Sequence, residues 1–319
     1  MKSIRNLLTL LLLAVLSAVT VYACSGSSSS SDATPSATSG AASPAATTTV
    51  KVGSKDFTEA FILGEMYAMA LENGGFKVER KLNLGGTPVA QAGLESGQID
   101  LYPEYTGTGL LTVLKLPKMS DRQEVYDAVA KGYKEKFNLA WLEPAPMNNT
   151  QAFALKQETA EKYGIKTISD LVAKGSELAL VSTAEFQARE DGLPGLKAVY
   201  GDPKFKKLIP VDAGLRYQAL QNGDADVVEA FSTDGEISAF NLVVLEDDKG
   251  LYPPYQVAPV VRQETLDASP QIGDILNSLS PKITDATMQR LNYEVSGKSR
   301  EPAEVAKEFL VQEGLVKQS

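Results

Sequence analysis

One stretch of this chain is written twice, and the duplication limits the possible folds more than any other feature. Residues 94–109, LESGQIDLYPEYTGTG, align without a gap on residues 220–235, LQNGDADVVEAFSTDG. Leu94 meets Leu220, Gly97 meets Gly223, Asp100 meets Asp226, and the same offset carries Tyr105 onto Phe231. Each copy reads as the end of a helix, a glycine stop, a short strand and a loop. Gly97 and Gly223 suit the left-handed position that closes a helix, and Ile99 with Leu101, like Val227 with Val228, suits a short buried strand. Both copies therefore bring an aromatic ring just past the C-terminal end of a strand, where open α/β sheets bind ligands. Two such half-units predict two lobes facing one cleft.

The flanking sequence supplies the rest of an α/β pattern. A strand at 49–53 leads through Ser54 and Lys55 to a helix in which Asp56 and Glu59 have capping-box spacing, and Asn73-Gly74-Gly75 stops that helix. Ser54 and Lys55 thus reach a helix N-terminus, whose free amides favour a carboxylate. A strand at 77–82 precedes Thr87-Pro88, a cap and a first helical residue, so strands and helices alternate as in a mostly parallel sheet. Ser120 with Gln123 opens a further helix, and a strand follows at 139–143. Pro144, Pro146 and Asn148-Asn149-Thr150 mark a crossing between lobes. Strands at 151–156, 178–181 and 242–245 belong to the second lobe, with Arg189 in the loop AREDGLPG. Tyr252-Pro253-Pro254-Tyr255 is extended and stiff, because each proline fixes its own φ and restrains its predecessor. A return strand at 256–261 and helices over 272–279, 286–293 and 302–310 complete the chain. The expected organisation is a first lobe of residues 49–147 plus 256–319 and a second of 148–255, joined by a two-strand hinge.

Composition narrows the chemistry. The sequence has no histidine, which removes His-dependent triads, bases and metal sites, and no nucleophile–base pair is apparent. A net charge of −9 without basic runs argues against nucleic acid. Gly85-Gly86 lacks the further residues of a dinucleotide or phosphate loop, and Glu246-Asp247-Asp248 lacks calcium-loop spacing. No cofactor, metal or enzymatic activity is expected. Trp141 and Tyr102 read as packing residues.

At the N-terminus, Lys2 and Arg5 precede an apolar run over 7–21 with the layout of an export signal, too short for an ordinary spanning helix. Ala23 before Cys24, the only cysteine, resembles a bacterial lipoprotein signal, so Cys24 is the expected lipidation site. A lone cysteine in an exported protein has no internal disulfide partner. Residues 1–23 are read as the signal peptide and 24–48, rich in Ser, Ala, Thr, Gly and Pro, as a disordered tether. The expected location is extracytoplasmic, on a lipid anchor facing the periplasm.

GSKDFTEAFILGEM (53–66), LNLGGT (82–87), IDLYPEYTGTGLL (99–111), NNT (148–150), AFSTDGEISAFNLVVLEDDKG (230–250), PPY (253–255) and ITDATMQRLNYEV (283–295) resemble, in order, the signature segments of the substrate-binding proteins of osmoprotectant ABC transporters, the glycine betaine, choline and carnitine type. The resemblance implies a type II periplasmic-binding-protein fold, a small quaternary ammonium ligand caged by tyrosines, and separate permease subunits in the membrane as partners. A monomer is expected. Tyr105 and Tyr255 match the family's cage positions, while Gln151 and Phe231 stand where the family often has tyrosine. Arg189 matches an arginine that contacts a ligand carboxylate, and Thr108 a variable position linked to substrate breadth. Aromatic faces suit a trimethylammonium group, which has no N–H to donate and gains roughly 0.5–2 kcal/mol per ring.

Each residue also has a plainer reading. Tyr105 and Tyr255 could hold loops, Phe231 could be a core ring, Gln151 a strand residue, and Arg189 the partner of Glu190 or Asp191. Two rival functions stay open, an enzyme on the same fold and a receptor for another solute such as an amino acid.

Overall fold

The computed structural model describes residues 49–317. The signal peptide, Cys24 and the tether lie outside the described residues, as do Gln318 and Ser319. Among the described residues, ten strands build two five-stranded sheets. They are β1 (Thr49–Gly53), β2 (Lys77–Lys81), β3 (Leu101–Tyr105), β4 (Leu139–Trp141), β5 (Gln151–Lys156), β6 (Ala179–Ser182), β7 (Lys207–Pro210), β8 (Val227–Phe231), β9 (Leu242–Val244) and β10 (Val257–Arg262). The first sheet runs β2-β1-β3-β10-β4 and the second β7-β6-β8-β5-β9, the same order with β3 and β8 at the centre.

Each sheet is mixed but mostly parallel, four strands sharing one direction and one, β10 or β5, running against them. In each, the repeat strand lies parallel to one neighbour and antiparallel to the other. The antiparallel neighbours, β10 and β5, come straight out of segments that have just crossed from the opposite lobe, so they run against β3 and β8. The crossing segments lie side by side. Ala145 N–H donates to the Val257 carbonyl at 2.8 Å, Asn149 N–H to the Tyr255 carbonyl at 3.0 Å, and Tyr255 N–H to Asn148 Oδ1 at 2.7 Å.

The duplicated sequence is duplicated structure. Gly97 and Gly223 have φ of +73° and +80°, which glycine adopts without a Cβ penalty, and each ends the turn after a helix, Thr87–Glu95 or Arg216–Asn222. Asp100 and Asp226 then clamp their strands in register. Asp100 accepts from Lys51 N–H at 2.7 Å and returns its own N–H to the Lys51 carbonyl at 2.8 Å. Asp226 does the same with Ala179, at 2.8 and 2.9 Å.

Alternation along β3 feeds two apolar layers, since successive side chains leave opposite faces. Leu101 and Tyr105 join the layer that holds the helix Thr58–Asn73 and the C-terminal helices, whereas Tyr102 joins Val125, Val129 and Tyr133 of the helix Arg122–Phe137. Val227 and Val228 divide the second lobe in the same way. At about 1.5–3 kcal/mol per buried large aliphatic side chain, these layers are the main stabilising term.

Three expected caps move. Phe57, not Asp56, occupies the N-cap of Thr58–Asn73, without a side-chain bond, and Glu59 points into the protein. Gly86 replaces Thr87, and Asp121 replaces Ser120, accepting from the Gln123 and Glu124 amides. Edge strand β7 was not expected, because its mostly exposed residues show no apolar alternation. Trp141 and Tyr102 are buried in packing positions. Among the described residues no helix is long and apolar enough to cross a membrane.

Candidate functional site

The C-terminal ends of β1, β3, β6 and β8 converge on a cavity of about 620 Å³, its mouth included. The first lobe supplies Lys55 and Phe57 from the turn after β1, with Tyr105 and Thr108 from the end of β3 onward. The second supplies Arg189, Arg216, Glu229 and Phe231, and Asn149, Gln151 and Tyr255 come from where the chain crosses. The structure thus brings Tyr105, Phe231, Tyr255, Arg189, Gln151, Thr108 and Lys55 to one cavity. Ser54 does not reach it. Its hydroxyl is fully buried, donates to the Lys55 carbonyl at 2.9 Å and accepts from Asn83 N–H at 3.0 Å, so it shapes the turn.

Three rings cluster. Phe57 lies 6.1 Å from Tyr105, tilted by 34°, and 6.4 Å from Phe231, nearly parallel at 13°. Lys55 Nζ stands 4.8 Å from the Tyr105 ring centre, and the Arg216 guanidinium 5.0 Å from that of Phe231. The protein's own cations already use one aromatic face each. Lys55 is also committed to Glu104, 2.7 Å away and fully buried, so its charge is answered within the protein rather than left for a ligand.

Buried carboxylates hold the tyrosines. Tyr105 donates its hydroxyl to Glu59 Oε1 at 2.7 Å, and Glu59 also accepts from Asn149 Nδ2 at 2.6 Å and Asn292 Nδ2 at 2.8 Å. Tyr255 donates to Asp191 Oδ2 at 2.5 Å. The same carboxylate accepts Arg189 Nε at 2.7 Å, Arg189 Nη2 at 2.5 Å and Gln151 Nε2 at 3.0 Å. Arg189 therefore does pair with Asp191, but inside the protein. Gly107 makes room for Tyr255, since a Cβ there would stand 2.6 Å from the ring.

The lobes meet across the mouth. Arg189 Nη2 donates to Thr108 Oγ1 at 3.3 Å, Thr87 N–H to Glu185 Oε1 at 3.2 Å, and Lys115 pairs with Glu190 at 3.2 Å. The conformation is closed.

Phe57, Arg216, Asn149 and Glu229 were not singled out from the sequence. Phe57 precedes the helix it caps and breaks no pattern, and Arg216 falls four residues ahead of the second copy. Asn149 was visible only as part of NNT, and Glu229 has no charged counterpart at the matching position of the first copy, Pro103.

A family model described as the substrate binding domain of ABC-type glycine betaine transport systems matches residues 48–312. The chain belongs to this family of transport substrate-binding domains. It is 37% identical over 265 residues to the carnitine transport binding protein OpuCC of Listeria monocytogenes, covering 82% of this chain and 86% of that one. It is 34% identical over 286 residues to the glycine betaine-binding protein YehZ of Escherichia coli, covering 85% and 93%. A crystal structure titled as a glycine betaine/carnitine/choline ABC transporter superposes with a TM-score of 0.68 at 35% identity, covering 83% of this chain and 99% of that one. These relatives are transport binding proteins rather than enzymes.

The binding domain's carboxylates give it a distinctive pH response. Burial pushes Glu59, Glu229 and Glu236 above the ordinary 4.5, outweighing the donors and charges that hold them down. Burial also pushes Asp191 upward, but the Arg189 hydrogen bonds and charge, with the Tyr255 hydroxyl, leave it below 3.8. A raised carboxylate binds more protons folded than unfolded, so stability falls as pH rises from 4.5 through its folded pKa; a lowered one loses its contribution below 3.8. Melting temperature is expected to rise as pH is lowered from neutrality through the folded pKa of the raised glutamates towards 4.5 and to drop again below 3.8. Thermal melts across that range check this, and a melting temperature that climbs steadily from about 5 to 8 would contradict it.

Proposed function

We propose that this protein is the extracytoplasmic receptor of an ABC importer, closing its two lobes on a small quaternary ammonium solute and delivering it to a permease made of separate chains. The observation that carries the reading is the cluster of Phe57, Tyr105 and Phe231, with Tyr255 in the same cavity wall. A methylated ammonium offers no N–H, so affinity has to come from aromatic faces in a site shielded from water. Family membership supports the same class of ligand, and two relatives carry carnitine and glycine betaine in their names.

The rings act as a cage for the methyl groups. Arg189 serves the acid end of a betaine, because its Nη1 stands 3.6 Å from Glu185, beyond hydrogen-bond range, while its other two nitrogens are spent on Asp191 and Thr108. Closure is the message to the transporter, since the contacts across the mouth form only when the lobes meet. The export signal and Cys24 in the sequence support a lipid-anchored form outside the cytoplasm.

Isothermal calorimetry with glycine betaine, choline, carnitine and proline tests the reading. At least one of the three quaternary amines is expected to bind. Heat from proline alone, or from none of the four, would end it.

A further inference from the structure

Two amides in the cavity wall have one end fixed and the other unanswered. Gln151 and Asn149 are 4% and 5% exposed, and both line the cavity. Gln151 Nε2 faces Asp191 and Asn149 Nδ2 faces Glu59. Those carboxylates fix the orientation of both amides, because an amide oxygen turned towards a carboxylate would be repelled. Gln151 Oε1 and Asn149 Oδ1 are therefore left as the free ends, and neither has a hydrogen-bond donor among the described residues. A buried acceptor without a donor is costly, and most such groups in folded proteins find a partner. The cavity's tyrosine hydroxyls cannot serve. Those of Tyr105 and Tyr255 already donate to Glu59 and Asp191.

Resting on the quaternary-amine reading above, we infer that the preferred solute carries a hydrogen-bond donor besides its methylated ammonium, a hydroxyl being the smallest group that supplies one, and that Gln151 Oε1 accepts it with Asn149 Oδ1 alongside. A site with buried acceptors rejects an analogue that lacks the donor, because binding then seals the acceptor away unpaired. The glutamine, standing where the family often has a tyrosine, thus exchanges a ring for a polar contact.

The test is calorimetry on matched pairs that differ only in a hydroxyl, carnitine against γ-butyrobetaine and choline against ethyltrimethylammonium. In at least one pair the hydroxylated member is expected to bind about tenfold tighter, the effect of one satisfied hydrogen bond. Gln151→Met should bring that ratio towards one. Equal or tighter binding by the deoxy member of both pairs overturns the inference while leaving the quaternary-amine reading intact, and shows that trapped water answers these oxygens. A ratio that survives Gln151→Met overturns the assignment to Gln151. Absence of binding by all four compounds overturns this inference, and the quaternary-amine reading falls with it only if glycine betaine gives no heat either.

Discussion

Replacing Asp191 by alanine is expected to lower stability by about 3–5 kcal/mol and to abolish ligand binding at concentrations that saturate the parent. The Asp191 side chain is inaccessible to solvent, and it receives two nitrogens of Arg189, the Tyr255 hydroxyl and the Gln151 amide. Its removal leaves an arginine whose side chain is only 13% exposed without its main counter-charge, and an uncompensated buried charge costs far more than an exposed ion pair contributes. Three cavity-lining side chains lose their anchor together, so binding fails even in molecules that stay folded. For a body of this size the loss corresponds to a fall in melting temperature of about 6–20 °C. Asp191→Asn keeps the shape and one acceptor oxygen, and should fall between parent and alanine. Urea melts with parallel calorimetry decide the matter; an alanine variant within about 1 kcal/mol of the parent would show that Glu185 closes its 3.6 Å gap and takes over the arginine.

Tyr105→Ala is expected to have the next largest effect, about 3–5 kcal/mol of stability together with a loss of at least tenfold in affinity for a quaternary amine. The side chain is 3% exposed, packs beside Phe57, and its hydroxyl is one of the donors that keep Glu59 satisfied. Truncation opens a cavity beneath the rings and removes one aromatic face. Two companion variants separate these effects. Tyr105→Phe keeps the face and drops the hydroxyl, so stability should fall by about 1–3 kcal/mol while affinity changes only a few-fold. Phe231→Ala removes a partly exposed ring that makes no hydrogen bond through its side chain, so affinity should fall by roughly the worth of one cation–π contact, about 0.5–2 kcal/mol, with little change in melting. If Phe231→Ala binds as tightly as the parent, Phe231 contributes no wall to the cage.

The sequence made the scaffold legible because its signals are local or periodic. A glycine stop and a following aspartate mark each repeat within a few residues, and the apolar residues around the aspartate place β3 and β8 to within two residues of where they start. The ends of those strands also locate Tyr105 and Phe231. The polar layer behind the rings was not legible, because its partners are far apart in the chain. Glu59 collects Tyr105, Asn149 and Asn292, separated from it by 46, 90 and 233 residues. Read locally, Glu59 looks like half of a capping box with Asp56, and only the folded chain shows it serving a buried network instead. Lys55 misleads in the opposite direction. Its place after β1 suggests a free cation for a ligand carboxylate, yet Glu104, 49 residues on, claims it. Ser54 has the right position but faces the wrong way, into the turn.

The exchange of strands at the crossing segments also sets an order of assembly. Residues 151–244 contain every strand of the second sheet, so that sheet is contiguous in the gene and can be completed as soon as its own stretch is available. The first sheet cannot, because β4 is attached to β3 only through β10, which lies more than a hundred residues further along the chain. The half that leaves the ribosome earliest is therefore the last to be finished, held open by a missing plank until residues 257–262 arrive. Pairings so distant in sequence form slowly, and a polypeptide shortened before residue 257 would keep one intact sheet and one with an unfilled gap beside Tyr105.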